Sequence, residues 1–296
     1  MRSLINRPAP RRVALETTLL AHGVPSADVP GLAADLAAEI RGAGATPCVI
    51  GVLRGTPIVG MSDAELAGFL ADAAGGGVAK ANTSNLGALI ARGRTAATTV
   101  SATMELASRA GVRVFATGGL GGVHRGATLD VSSDLTAFTR FPVCVVASGA
   151  KAILDVPATR EALEALGVPV VGFRAERFPA FYLRDGGAGV DASFDDVLSL
   201  ASYVGEEIAR TSRGVLVVQP VPPEHEISAP DWSRWLAAAE ARASEARGRD
   251  VTPALLAALH EVSGGATLRA NLALVRANAR LAGRIAAVIE GDGGSR

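Results

Sequence analysis

The sequence predicts an α/β fold: a largely parallel sheet flanked by helices, with a helical C-terminal portion. Three observations predict it. Units of helix, glycine and valine-rich strand recur through the middle of the chain. Their strands are continuous apolar runs, as in strands covered on both faces, not the alternating pattern of a half-exposed sheet. From Asp231 onward the pattern is helical almost throughout.

Residues 1–12 carry two prolines and several arginines and are expected to fray, within a single domain spanning residues 1–296. Val13 to Leu20 reads as an apolar strand that carries Glu16. Pro30 sits where a helix begins, and Leu32, Leu36 and Ile40 recur at helical spacing up to Gly42. Pro47 to Leu53 is a buried strand. Ser62-Asp63-Ala64-Glu65 is a capping box opening the next helix. Ser101 to Ala110 is helical, Gly111 ends it, and Val112 to Ala116 is a strand. Val143 to Ala147, Val168 to Phe173 and Gly214 to Val218 are strands, with helices over Thr159 to Leu166 and Ser193 to Thr211 between them. In such sheets, sites form beyond the C-terminal ends of strands, so the polar residues that follow strands are the ones to weigh.

Composition narrows the function. Formal net charge is zero, only 4% of residues are aromatic, and no basic stripe is visible. A polynucleotide-binding surface needs clustered cations, often with stacking rings, so a nucleotide-like ligand would be small. The longest apolar stretch, Val143 to Ala150, falls far short of the roughly 20 residues that span a membrane. Cys48 and Cys144 lie in apolar strand runs and read as reduced core thiols. With no secretory signal in view, these features point to the cytoplasm. Of 29 basic residues only Lys80 and Lys151 are lysine. Arginine serves wherever charge alone is needed, so a retained lysine reads either as a place where a deprotonatable amine is useful or as chance under a biased codon composition.

Four segments carry chemistry. Thr117-Gly-Gly-Leu-Gly-Gly-Val-His-Arg-Gly126 follows a strand directly. Its glycines let backbone N–H groups approach a ligand, often a phosphate, and His124 and Arg125 add a proton carrier and an anion clamp. A tight structural turn would look similar. Asp130-Val-Ser-Ser-Asp134 places two carboxylates and two hydroxyls within five residues, suited either to a hard divalent ion or to a helix cap. Ser148-Gly-Ala-Lys151 puts a lysine at a strand end, where low dielectric and nearby cations make an amine nucleophilic. Ala14-Leu-Glu16-Thr-Thr18 embeds a carboxylate in a strand, where burial raises its pKa and suits it to donate a proton. Lys80 is positioned to pair with a phosphate as a point charge.

Taken together and in order, ALETT…HG, GATP, ATTVSATM, VFATGGLGGVHRG, DVSSD, VVASGAK and GVPVVGF closely resemble the pseudouridine-5′-phosphate glycosidase family, also called indigoidine-synthase-A-like. PVPPEH at 220–225 and ATLRANLALVRANARLAGRIA at 266–286 resemble it too. The match runs from about Val13 to Ala286. The resemblance implies that Lys151 is the nucleophile, forming an imine with C1′ of the ring-opened ribose, and that Glu16 is the proton donor. His124 stands in the family's loop with a catalytic role. Asp130 matches the ligand of a manganese ion, with Asp134 near enough to share it through water. Lys80, Val100, Ser132, Ser133 and Asp134 match substrate-contacting positions, and Asn271 matches an asparagine that reads the uracil edge. Two departures are small: Thr17 stands where serine is commoner, and Ser133 replaces a small residue. The resemblance further implies a homotrimer and a small-molecule substrate, with uracil and ribose 5-phosphate as products. A lysine-dependent sugar-phosphate aldolase and a non-enzymatic ligand-binding module are the alternative readings.

Overall fold

A computed structural model of the chain describes residues 3–22, 29–126, 130–243 and 251–289. In chain order, β1 (Ile5–Asn6) and β2 (Arg12–Glu16) lead into α1 (Thr17–His22) and α2 (Val29–Gly42). β3 (Thr46–Leu53) and β4 (Thr56–Val59) precede α3 (Asp63–Ala74). β5 (Ala79–Ala81), α4 (Leu86–Ala91), β6 (Ala96–Thr98), α5 (Val100–Arg109) and β7 (Val114–Ala116) follow. Then come α6 (Ser133–Ala137), β8 (Cys144–Ala147), α7 (Val156–Ala165) and β9 (Val170–Phe173). A hairpin of β10 (Arg177–Ala180) and β11 (Leu183–Gly189) precedes β12 (Ala192–Phe194), α8 (Val197–Thr211) and β13 (Val215–Val218). A single 3-10 turn at Pro223–His225 introduces α9 (Ala229–Arg242), α10 (Val251–Val262) and α11 (Ala266–Ile289).

The main sheet runs β1-β4-β3-β2-β7-β8-β13-β9-β12, with β6 joined to β3 and β5 to β6. From β3 to β12 every neighbouring pair is parallel. The antiparallel contacts β3–β4 and β3–β6 close one edge. Side chains alternate across the central strands as the two-residue period demands. Val13, Leu15, Cys144, Val146, Val215 and Val217 face a layer with Leu32 and Leu36 of α2, Val204 of α8 and Leu274 of α11. Ala14, Phe115, Val145, Ala147 and Leu216 face the opposite layer, with Met104 of α5 and Leu163 of α7. Both faces are therefore apolar, which is why these strands read as continuous hydrophobic runs.

Most elements fall where the pattern places them, including the capping box, in which Ser62 Oγ accepts from Glu65 N and Glu65 Oε2 from Ser62 N. Cys48 and Cys144 are buried free thiols. Three expectations need correction. The N-terminal stretch does not simply fray: Ile5–Asn6 pairs parallel with Ile58–Val59, and Arg12 donates to Asn6 Oδ1 and to Ala110 O, both at 2.7 Å. The strand expected to reach Leu20 stops at Glu16. Thr17 turns the chain there, donating to Ile50 O at 3.0 Å and accepting from Thr98 N at 2.9 Å, and α1 begins. The helix expected from Ser193 starts at Val197, capped by Asp196. Ala192–Phe194 instead extends the sheet beside β9. Each correction depends on a partner distant in sequence.

The α2–α11 contact closes one layer of the core, and Leu36 is 2% exposed within it. Leu36→Ala should cost about 2–5 kcal/mol. In urea titrations it should lower the unfolding midpoint at unchanged slope.

Candidate active site

Parallel pairing sets the ends of β2, β7 and β8 side by side: Leu15 pairs with Ala116, and Ala116 with Val146. The next residues are Glu16, Thr117 and, after β8, the segment Ser148–Lys151. Glu16 shares the face of Ala14, and Thr117 that of Phe115, so both side chains lean to the α5–α6 side. There the Thr117 hydroxyl donates a short hydrogen bond to Glu16 Oε1. Glu16 is 8% exposed. Burial pushes its pKa up to about 7, opposed by the charge of Lys151, the Thr117 hydrogen bond and the charge of Lys80, and helped by the charge of Asp134. This carboxyl group thus titrates near neutrality, where a general acid is most effective.

Lys151 is half-buried and held by its backbone. Ser148 N donates to Gly118 O (2.8 Å), Leu120 N to Gly149 O (2.9 Å), Lys151 N to Leu120 O (3.1 Å) and Asp155 N to Val123 O (3.0 Å). The glycine-rich turn and the lysine segment therefore form one seam. Arg125 extends it, donating from Nε to Leu154 O and from Nη2 to Ala152 O, each at 3.1 Å. The seam turns at Gly149, whose φ is +71°; an added Cβ would lie 1.8 Å from Pro179 O.

The turn is a packed element, not an open phosphate cradle. A Cβ on Gly119 would meet the Phe181 ring, one on Gly121 would meet Ser132 and Asp134, and one on Gly122 would meet Thr159. Several of its amides already have protein acceptors. Gly121 N donates to Asp134 Oδ2 (2.9 Å), Val123 N to Thr159 Oγ1 (3.0 Å) and His124 N to Asp130 O (3.0 Å). One of these acceptors, on the Gly121 amide, is a carboxylate of the chain itself. Arg125 clamps two carbonyls, while the residue as a whole stays exposed.

The other singled-out residues surround this seam. Asp134 is 5% exposed, and its Oδ1 accepts from Ser101 N at 3.0 Å, so it ties the start of α5 to the glycine turn. Each oxygen thus holds a backbone amide, which fixes the carboxylate in place. Ser132 caps α6 through Asp134 N at 3.2 Å, and Ser133 Oγ lies 3.0 Å from Ser101 Oγ. Val100 is buried in the first turn of α5. Lys80, on β5, keeps an exposed side chain, yet its amine titrates below the usual lysine range because of partial desolvation and the Lys151 charge; Asp134 and Glu16 pull the other way. His124 is half-buried, and among the described residues its ring makes no hydrogen bond to Lys151 or Glu16. Asp130 is exposed, and its carboxylate takes no partner among the described residues. No group of three His, Cys, Asp or Glu side chains converges among them either. The donor set therefore suits an ion held by one carboxylate plus water and substrate oxygens, and not a closed protein cage.

Asn271 is buried on α11. Seven residues on, Asn278 Nδ2 donates to Thr117 O at 2.9 Å and to Ser148 Oγ at 3.1 Å, joining the ends of β7 and β8. Thr117 and Asn278 were not singled out from sequence. A signal for the second existed: Arg-Ala-Asn recurs at 269–271 and 276–278, two helical turns apart and so on one face.

The family described as Indigoidine synthase A like protein matches residues 6–288. The chain belongs to this family. Family relatives include a pseudouridine-5′-phosphate glycosidase of Methylobacterium nodulans, 43% identical over 98% of this chain and 87% of its own. Another, from Chloroflexus aurantiacus, is 46% identical over 93% of this chain and 92% of its own. The crystal structure of an indigoidine synthase A-like protein from Thermotoga maritima superposes with a TM-score of 0.90 at 38% identity, covering 98% of this chain and 97% of that one. That of the prealnumycin C-glycosynthase AlnA in complex with ribulose 5-phosphate superposes at 0.85 and 33% identity, covering 96% and 93%.

Two expectations follow from the geometry. Gly149→Ala should leave folded protein with its Lys151 segment displaced, or no folded protein, since both the φ and the Pro179 carbonyl oppose a Cβ. Loss of activity together with a lowered thermal midpoint checks it. Folded Glu16 keeps its proton to about pH 7, whereas an ordinary glutamate releases it near 4.5. The unfolded state thus binds fewer protons between these values, and native stability falls as pH rises through that window, by on the order of 3 kcal/mol, then levels off. Glu16→Gln should remove this fall, so urea unfolding should find the variant more stable than wild type at pH 8 but not at pH 4.5.

Proposed function

We infer that this protein is a pseudouridine-5′-phosphate glycosidase, splitting the carbon–carbon bond between ribose 5-phosphate and uracil reversibly. The observation that carries the reading is the meeting, at adjacent strand ends, of a lysine held by its backbone and a buried carboxyl group that titrates near pH 7. The names of the relatives support it, as does the C-glycosynthase neighbour crystallised with a pentulose phosphate.

A C-glycosidic bond has no oxygen leaving group, so the two-carboxylate route of ordinary glycosidases does not serve. In this reading the Lys151 amine bonds to C1′ as the C1′–O4′ bond breaks, and the proton the amine loses passes to O4′, opening the ribose. Glu16 delivers a proton to C5 of the base. The nitrogen lone pair then forms a C1′=N imine as the C1′–C5 bond breaks, its electron pair returning to the uracil ring. Water hydrolyses the imine to the aldehyde of ribose 5-phosphate and frees the amine for the next turnover. Lys80, the serines of α6 and the first turn of α5 at Val100 receive the phosphate end. Asn271 reads the base, and His124 assists proton transfer at the turn. A divalent ion such as Mn²⁺, held by Asp130, would neutralise phosphate charge when bound. A homotrimer, which rests on the family resemblance, and a place in the cytoplasm, which rests on composition, belong to the same reading. No described helix is long and apolar enough to cross a membrane.

With pseudouridine 5′-phosphate and Mn²⁺, wild type should release uracil and Lys151→Arg should not. Borohydride should trap a ribose phosphate adduct on Lys151 alone, read by peptide mass. Release by both proteins would remove Lys151 from the chemistry. No release by folded, metal-loaded wild type would bring forward the aldolase and the binding module, which an adduct without uracil and the absence of any adduct respectively identify.

A further inference from the structure

We propose that Thr117 is the positioning residue of the Glu16 acid: its hydroxyl fixes the carboxyl rotamer and assigns the transferable proton to Oε2, with Asn278 anchoring it from α11. The proposal rests on the proton-donor reading of Glu16. Thr117 is 2% exposed and its backbone is pinned on both sides. Its N donates to Val146 O at 3.0 Å, and its O accepts from Asn278 Nδ2 at 2.9 Å. The β-branched side chain has little torsional freedom once the backbone is set. Strand parity then aims the hydroxyl at Glu16, where it donates to Oε1.

That contact has a chemical consequence. An oxygen already accepting the Thr117 proton is the carbonyl-like one, so a protonated carboxyl carries its own proton on Oε2. The hydroxyl is also a neutral donor. It favours the ionised carboxyl enough to oppose burial without ionising it outright, as a fixed cation in the same place would. The balance leaves the group near pH 7. Asn278 also accepts from Ser148 Oγ at 3.5 Å and donates to it at 3.1 Å, so the anchor that sets Thr117 is shared with the start of the Lys151 segment. Acid and nucleophile are thereby referenced to one side chain.

The test uses Thr117→Val, which keeps the shape and loses the hydroxyl, and Thr117→Ser, which keeps the hydroxyl. Glu16 is titrated directly in substrate-free protein by carboxyl ¹³C NMR, assigned against Glu16→Gln, and the pH profile of uracil release is recorded beside it. In Thr117→Val the Glu16 midpoint should rise above its wild-type value. The alkaline limb of kcat should move up with it, and kcat at the optimum should fall about tenfold or more with KM little changed, within the range general acids contribute. Thr117→Ser should restore both. Thr117→Ala gives the same readings if valine does not fold. A folded hydroxyl-free variant with wild-type midpoint and kcat would overturn the proposal. A shifted midpoint with Glu16→Gln still active would uphold Thr117 as the residue that sets Glu16 and remove Glu16 as the proton donor.

Discussion

The seam between residues 118–123 and 148–155 is the constraint on which the site depends. Its hydrogen bonds run from Ser148 through Lys151 to Asp155, and Arg125 closes it with two more to Ala152 and Leu154. A lysine amine sits at the end of a flexible four-carbon stem. Fixing the backbone beneath it is the chain's main means of aiming it. The seam also explains the glycines: Gly119 packs against Phe181 on one side, and Gly121 and Gly122 against Ser132, Asp134 and Thr159 on the other, leaving no room for a Cβ at those positions.

Electrostatics build on that frame. Asp134 is taken up by two backbone amides, so its charge is held close to Glu16 without moving. Glu16 bears the desolvation, Lys80 and Lys151 offset part of it, and the outcome is a carboxyl group poised between its two forms at neutral pH. The same burial makes the ionised folded state less stable, which is the usual cost of a pre-organised acid. Desolvation, and after it the nearby charge of Lys151, lowers the titration of Lys80. Two lysines in a chain otherwise supplied with arginine lie within electrostatic reach of one carboxyl group.

Much of this was legible in the sequence. Apolar runs such as Cys144–Ala147 and Val215–Val218 announce doubly covered strands, and the order of strands and helices announces a parallel sheet. The rule that sites lie past strand ends points to the glycine turn and Lys151, and the cost of a carboxylate inside an apolar strand points to Glu16. Short edge elements were not legible. β1, β5, β6 and β12 span two or three residues each, too few for a period to register, and they exist because a neighbour supplies the hydrogen bonds. The ends of β2 and α8 were misplaced for the same reason: Thr17 and the Ala192–Phe194 segment answer to partners on β3, β6 and β9.

By itself the sequence determined the fold class, the family and the identity of the two lysines and the buried carboxylate, because these follow from local period, composition and contiguous motifs. Only the tertiary structure decided what those groups do to one another. The glycine turn reads equally well as an open loop until it is seen packed against Phe181, Asp134 and Thr159, and Thr117 reads as an ordinary strand-end threonine until it is seen on Glu16. Hydrogen bonds between residues 13 and 101 positions apart depend on register between strands, and register is set by the whole sheet at once.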